Sequence, residues 1–357
     1  MRVLEKTAGT SPSQKFSRAN RPPKLPVMAA LALLPIAAFL ASLALGRFGI
    51  PLPQLVKIII YKILGLAQTW PDTLDKVLFN VRIPRILCGL MVGAALSTSG
   101  AAYQGVFKNP MVSPDILGAS AGAGFGAAFA ILNNFSSLGI QLTAFFFGLL
   151  AVAFTYFLSS AMSRGLNAVL ILVLTGMVVQ SLFSAFTSII KYEADPNNKL
   201  PEITFWLMGG LTSTTQKEVM MMIIPFAIGM IPLFLLRWKI NILSFGEEEA
   251  KGLGVDTGKM RIIIIISSTL LTSASIAISG MIGWVGLIIP HLTRLIVGPN
   301  YKTLLPASAL MGATFLLLVD DVARTVFVTE IPLGILTAVL GAPFFLYLLF
   351  QGRSSWE

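Results

Sequence analysis

Apolar positions in this sequence come in long unbroken runs, not in the strict alternation of strands. Charge-free windows cover residues 25–46, 86–107, 116–163, 165–190, 219–236, 262–293, 303–319 and 331–352. A helix rising about 1.5 Å per residue needs about 20 apolar residues to cross a hydrocarbon layer roughly 30 Å thick, so each window is long enough for a span or close to it. The 48-residue window at 116 is too long for one span. Its polar interruption at Asn133-Asn134 and Ser136-Ser137 divides it into two. The 32-residue window at 262 contains Gly280, Gly283, Gly286 and Pro290, and length alone leaves one span or two short ones open. The stretch 50–66 carries Lys57 and Lys62 in an otherwise apolar run. It predicts an interfacial helix with lysines reaching toward water, not an additional crossing.

Between Arg85 and Lys108 lie 22 residues without a charge, followed by Lys108-Asn109-Pro110 and Pro114-Asp115. Two prolines and a charge pair predict a break at a water interface, after which the chain re-enters. Gly118, Gly122 and Gly126 then recur every fourth residue, the spacing that lets helix backbones approach closely in lipid.

Composition agrees with a bilayer. The chain is 55% hydrophobic and 12% charged, too few charges to coat a soluble globule of 357 residues. The net charge of +10 raises the question of a nucleic-acid partner. Ten crossings from a cytoplasmic N-terminus put 16 Lys and Arg inside against 10 outside, and 7 acids inside against 9 outside. The basic excess is then almost wholly cytoplasmic, as membrane topology requires, and no nucleic acid is needed to explain it. Residues 1–25 read as a disordered basic cytoplasmic tail and 353–357 as a cytoplasmic C-terminal tail, flanking a transmembrane domain over 26–352. The lone Cys88, inside an apolar run, excludes an intramolecular disulfide.

Candidate chemistry is sparse. The predicted spans hold one histidine, His291, and no interior carboxylate, so no catalytic set and no metal site is expected. A phosphate-binding loop anchored on Gly258-Lys259 would need glycine at 253 and a hydroxyl at 260, where Leu253 and Met260 stand. Asp115, Asp320 and Asp321 lie at span ends, so an ion-coupled carrier, the competing class, lacks its usual buried ionisable group. In the fifth span Gln180, Ser184, Thr187 and Ser188 fall at i, i+4, i+7 and i+8, one polar stripe on an apolar helix. Such hydroxyls either line a pathway or bond their own helix. Arg82, Arg85 and Arg324 form a basic set at the predicted external face, read from residues alone as interfacial anchors. Ser99-Gly100, Pro110 and Gly118 recur 180 residues later as Ser279-Gly280, Pro290 and Gly298, a weak repeat whose copies would cross in opposite directions.

Several of these motifs carry a family resemblance: Arg82-Ile83-Pro84-Arg85, Ser99-Gly100, Gln104-Gly105, Asn109-Pro110, Asp115 to Gly118, Gly246 to Val255, Gly286 to Arg294 and Ile331 to Phe345. In order, over about residues 26–352, the chain resembles the permease subunits of ABC importers for iron-siderophores, haem and cobalamin (FecCD-type permeases). The resemblance implies an all-α polytopic fold of about ten spans with an inverted repeat, and favours two spans at 262–293. It implies a second permease copy, two ATP-binding cassette subunits that use ATP, and an external substrate-binding protein, with no cofactor on this chain. It assigns ATPase coupling to Gly246, Glu247, Glu248, Glu249, Ala250, Gly252 and Gly254, within a loop over 238–261. It assigns binding-protein docking to Arg82, Arg85 and Arg324 and a dimer-interface pathway to Gln180, Ser184, Thr187 and Ser188. A cytoplasmic gate falls at Asn109, Met111, Val169 and Leu170, the last two apolar where cobalamin-type members are polar. Ferric siderophore is the first expectation for the cargo, then haem, then cobalamin.

Overall fold

The computed structural model describes residues 25–46, 49–162, 168–244, 246–326 and 328–353. The tail expected at 1–25 falls outside these but for Leu25, and that at 353–357 but for Arg353. Among the described residues the chain is helical, with no strand. Seven helices are long and apolar enough to cross a membrane. They are α1 (Pro26–Ala44), α3 (Asp72–Val106), α5 (Ser137–Met162), α6 (Ala168–Glu193), α8 (Gln216–Leu243), α10 (Thr257–Ser279) and α12 (Tyr301–Thr325). Three shorter apolar helices, α4 (Ala119–Leu132), α11 (Val285–Val297) and α13 (Leu333–Tyr347), bring the total to ten, as the windows predict. Three further short helices are α2 (Leu52–Ile63), α7 (Lys199–Met208) and α9 (Glu247–Gly252).

α2 is too short to span at about 18 Å. It buries Leu55 and Ile58, while Lys62 bonds Asp75 at 3.0 Å and lies over the Phe79 ring. The window at 116 is divided as expected, and so is the one at 262 that length alone left open. Asn133 and Asn134 end α4, and Gly280 to Trp284 separate α10 from α11, with Gly280 at φ +64° and Trp284 at φ +70°. A tryptophan in the left-handed region is costly; here its ring packs on Gly341 and edge-on to Phe345.

α3 is the axis. From Arg85 to Val106 nearly every side chain is buried, against α8, α10, α11 and α12. Glycines make the approach possible: a Cβ at Gly93 or Gly312 would overlap the other's carbonyl, and one at Gly100 would overlap that of Gly286. Gly122 and Gly126 meet the backbone of α5 at Phe147 and Thr143, as their spacing predicts. Gly118 instead ends a 3-10 turn, Pro114–Leu117, at φ +89°. Hydroxyls buried in α10 bond back to carbonyls one turn earlier, Thr272 to Ser268 and Ser275 to Leu271, which satisfies them away from water.

The re-entrant turn departs from its prediction. Lys108 to Met111 are exposed, but Val112 and Pro114 are buried, and Pro114 packs on Gly286 beside the Leu96 carbonyl. The turn folds back to the middle of α3 because α4, with 14 residues, covers only about 21 Å and leaves room below it. α11, with 13, also begins beside the middle of α3. Each half of the chain therefore places a short helix third of five: α1, α3, α4, α5, α6, then α8, α10, α11, α12, α13. The residue matches at an offset of 180 do not mark this repeat. Gly118 precedes a short helix, whereas Gly298 follows one.

Candidate functional site

Two ends of the bundle can be told apart by their contacts. At the first, α1, α3 and α12 bring together Ser42, Arg82, Arg85, Asp320, Asp321 and Arg324. Arg85 donates from Nε and Nη2 to Asp320 at 2.8–3.1 Å, and its Nη1 lies 2.9 Å from Glu330. Arg324 bonds Asp321 and the Ser42 carbonyl, the latter at 2.7 Å. Ser42 Oγ donates to Asp321 at 2.7 Å, and Arg82 donates to the Leu43 carbonyl at 2.6 Å. Arg82, Arg85 and Arg324 are 5%, 8% and 6% exposed. The three arginines expected at the external face are thus buried, their guanidinium groups bonded to acids and backbone carbonyls of the same chain. The sequence holds the signal in the near balance of charge on this face, but not the pairing of Arg85 with a residue 235 positions away.

Beside this network three irregular segments line a cavity of about 360 Å³. The segment after α7 bonds the end of α10, Gly210 N to the Ser279 carbonyl, 2.7 Å. It also accepts from Leu333 N through the Gly209 carbonyl, 2.9 Å. Thr212 Oγ1 donates to Glu330 at 2.8 Å. Neither Thr212 nor Glu330 stands out in the sequence.

At the opposite end lie the close of α3, the close of α8 and the starts of α10 and α12. Arg294 donates to Gln104 at 3.0 Å and Tyr301 N to Asn241 at 3.2 Å. α9 stands here as a single helix, with Gly246 before it and Gly254 at φ +75° after it. Glu248, Glu249 and Gly252 are exposed, and Ala250 is fully buried. Asp256 caps α10 by accepting from Lys259 N at 3.0 Å. That bond holds its carboxyl below the usual carboxylate range.

The gate residues meet in part. Asn109 is exposed and accepts from Met111 N at 2.9 Å. Met111 and Pro110 share a recess with Leu287, Ile288, Phe345 and His291, whose Nδ1 is buried with no hydrogen-bond partner. Val169 packs on the core and Leu170 is 55% exposed at the start of α6. Along α6, Gln180, Ser184 and Ser188 are exposed and Thr187 half-buried. Thr187 and Ser188 bond the carbonyls of Phe183 and Ser184, each at 2.9 Å. Thr187 and Ser188 thus bond their own helix, and Gln180, Ser184 and Ser188 lie on a face that no other described element covers.

The model of the FecCD transport family matches residues 33–351. The molybdate import system permease protein MolB of Haemophilus influenzae is 41% identical over 91% of this chain and 95% of its own length. A probable iron chelatin transport system permease protein of Helicobacter pylori is 43% identical over 79% and 85%. The hemin transport system permease protein HmuU of Yersinia pestis is 35% identical over 79% and 85%. A solved structure of an inward-facing metal-chelate type ABC transporter superposes with TM-score 0.82 at 40% identity, covering 92% of this chain and 100% of that one.

Proposed function

The chain belongs to the FecCD transport family of ABC importer permeases, subunits without an ATPase site of their own, and we propose that its cargo is a metal chelate, ferric siderophore before haem or cobalamin. The observation that carries this reading is the uncovered face of α6. Gln180, Ser184, Thr187 and Ser188 offer neutral hydrogen-bonding groups and no fixed charge, which suits a bulky chelate that must slide without being trapped. A second copy of this chain set against that face encloses the stripe as a channel.

A second cargo, molybdate, is favoured by the Haemophilus relative, which aligns over nearly its whole length. The neutral stripe offers an oxyanion no charge to hold it, so the case for molybdate rests on that relative. Uptake decides between them. Proteoliposomes holding the permease, its ATPase and its binding protein are expected to accumulate iron presented as a siderophore chelate, with ATP inside. Accumulation of molybdate with none of ferric chelate, haem or cobalamin would overturn the first choice.

The remaining roles follow on the same reading. Both termini face the cytoplasm, and the protein sits in a prokaryotic plasma membrane. Residues Gly246 to Gly254 engage two ATP-binding cassette subunits, with α9 as the contact. Asn109, Met111, Val169 and Leu170 narrow the cytoplasmic exit. Arg82, Arg85 and Arg324 meet an external binding protein only by exchanging their internal partners for its carboxylates. In the same vesicles, replacing residues 247–254 by a flexible linker is expected to abolish uptake while the chain still inserts. Retained uptake would remove the coupling role.

A further inference from the structure

Glu330 is held by two elements that share no other polar contact among those described above. Its carboxylate lies 2.9 Å from Arg85 Nη1 on α3 and accepts from Thr212 Oγ1 at 2.8 Å, in the segment that follows α7. Both contacts cross the rim of the 360 Å³ cavity, which Arg85, Thr212, Ser279 and Glu330 help line.

We propose that Glu330 is a clasp that closes the external mouth of this cavity, a positioning residue for the transport cycle. The inference rests on the orientation given under the proposed function. Its physical basis is the unequal pair of bonds on one guanidinium. Asp320 is 0% exposed and accepts from two nitrogens of Arg85; Glu330 is 24% exposed and accepts from the third. A bond shielded from water at one edge and wetted at the other breaks first at the wet edge, where solvent or a competing carboxylate replaces the lost partner. Arg85 therefore stays fixed to α12 through Asp320 while Glu330 lets go. The segment carrying Glu330 is held next to it by a longer bond, Ile331 N to the Ala323 carbonyl at 3.4 Å. Leu333 N, at 2.9 Å from the Gly209 carbonyl, is the hinge beyond it. The clasp thus links the start of α13 to the segment between α7 and α8 in the closed mouth, and its release separates them.

The test reads the mouth directly. In the assembled importer in closed proteoliposomes with the external face outward, Cys88→Ala removes the one cysteine of the permease and Ser279→Cys places a reporter on the cavity wall, where Ser279 is 2% exposed. A membrane-impermeant maleimide added outside is expected to label this thiol slowly. Loss of a hydrogen bond to a charged group predicts labelling roughly tenfold faster or more in Glu330→Gln and in Thr212→Val. Thr212→Ser, which keeps the hydroxyl, is expected to label at the parent rate. Equal rates in the parent, Glu330→Gln and Thr212→Val would overturn the clasp, as would equally fast labelling in Thr212→Ser and Thr212→Val. The resting complex is labelled without cargo, so the result stands whichever compound is transported. A thiol that reacts only from the opposite side refutes the proposed orientation instead.

Discussion

The two ends of this bundle are fastened by opposite means. The Arg85 end gathers three arginines and three acids in one largely buried set, spread over α1, α3, α12 and the segment before α13. The Tyr301 end is joined by single bonds, Arg294 to Gln104, Tyr301 to Asn241 and Arg237 to the Lys302 carbonyl. Its charged residues Lys108, Lys251 and Lys259 are exposed. A buried charge set tolerates no partial loss, because each removed partner leaves another charge uncompensated; a set of single bonds yields one at a time. One end is built to keep its register, the other to give way.

The largest effect is expected at the buried set. Asp320→Asn removes the buried charge to which Arg85 donates from two nitrogens, leaving that guanidinium only Glu330, and should cost about 3–5 kcal/mol. Gln104→Leu at the other end removes one acceptor from Arg294 and should cost about 1–3 kcal/mol. Thermal unfolding of the purified permease in detergent compares them. Equal losses would erase the contrast between the ends. A double change, Arg85→Met with Asp320→Leu, is expected to recover part of the single loss, since the buried pair goes together and only the partly exposed Glu330 is left without its arginine.

A smaller effect separates the ends by backbone packing. A methyl added at Gly93 meets the Gly312 carbonyl, which cannot move without its helix, whereas one at Gly105 meets the side chains of Ile240 and Tyr301. Gly93→Ala is expected to cost about 1–3 kcal/mol as overpacking. Gly105→Ala should cost clearly less, because a side chain turns aside more easily than a helix. The same unfolding measurement decides, and a costlier Gly105→Ala would place the rigid contact at the wrong end.

Much of this fold is legible in the sequence because membrane spans are written locally. Charge-free windows give ten spans, and the asparagines at 133–134 and the glycines from 280 mark where two windows divide. The stripe on α6 is legible for the same reason, being a property of one helix. What does not show is anything that depends on two distant segments meeting. Arg82 and Arg85 read as surface groups because their partners, the Leu43 carbonyl, Asp320 and Glu330, lie far away in the sequence; Arg324 stands within one turn of Asp320 and Asp321, and only the burial of that helix end is hidden. Pro114 reads as part of an exposed turn because its burial depends on Gly286 and Leu96. The repeat is visible in the order of helix lengths and hidden in residue identities, since the halves share a packing plan more than a sequence.

The smallest expected effect tests whether the Tyr301 end yields piece by piece. Asp256 caps α10 through one bond from Lys259 N and faces water. Because that bond favours the ionised form, the carboxyl titrates below its usual value near 4. A depressed folded value means that the cap contributes stability above the unfolded value and loses it as pH falls through the folded one. Amide hydrogen exchange in the first turn of α10 should therefore quicken, relative to the rest of the helix, as pH drops below about 4. In Asp256→Asn the side-chain oxygen still caps the turn without a charge to lose, so that acid-specific change disappears while the helix beyond the first turn is unaffected. If protonating Asp256 loosened α10 along its whole length, this end would move as one body like the other, and the division between a keyed end and a yielding end would fail.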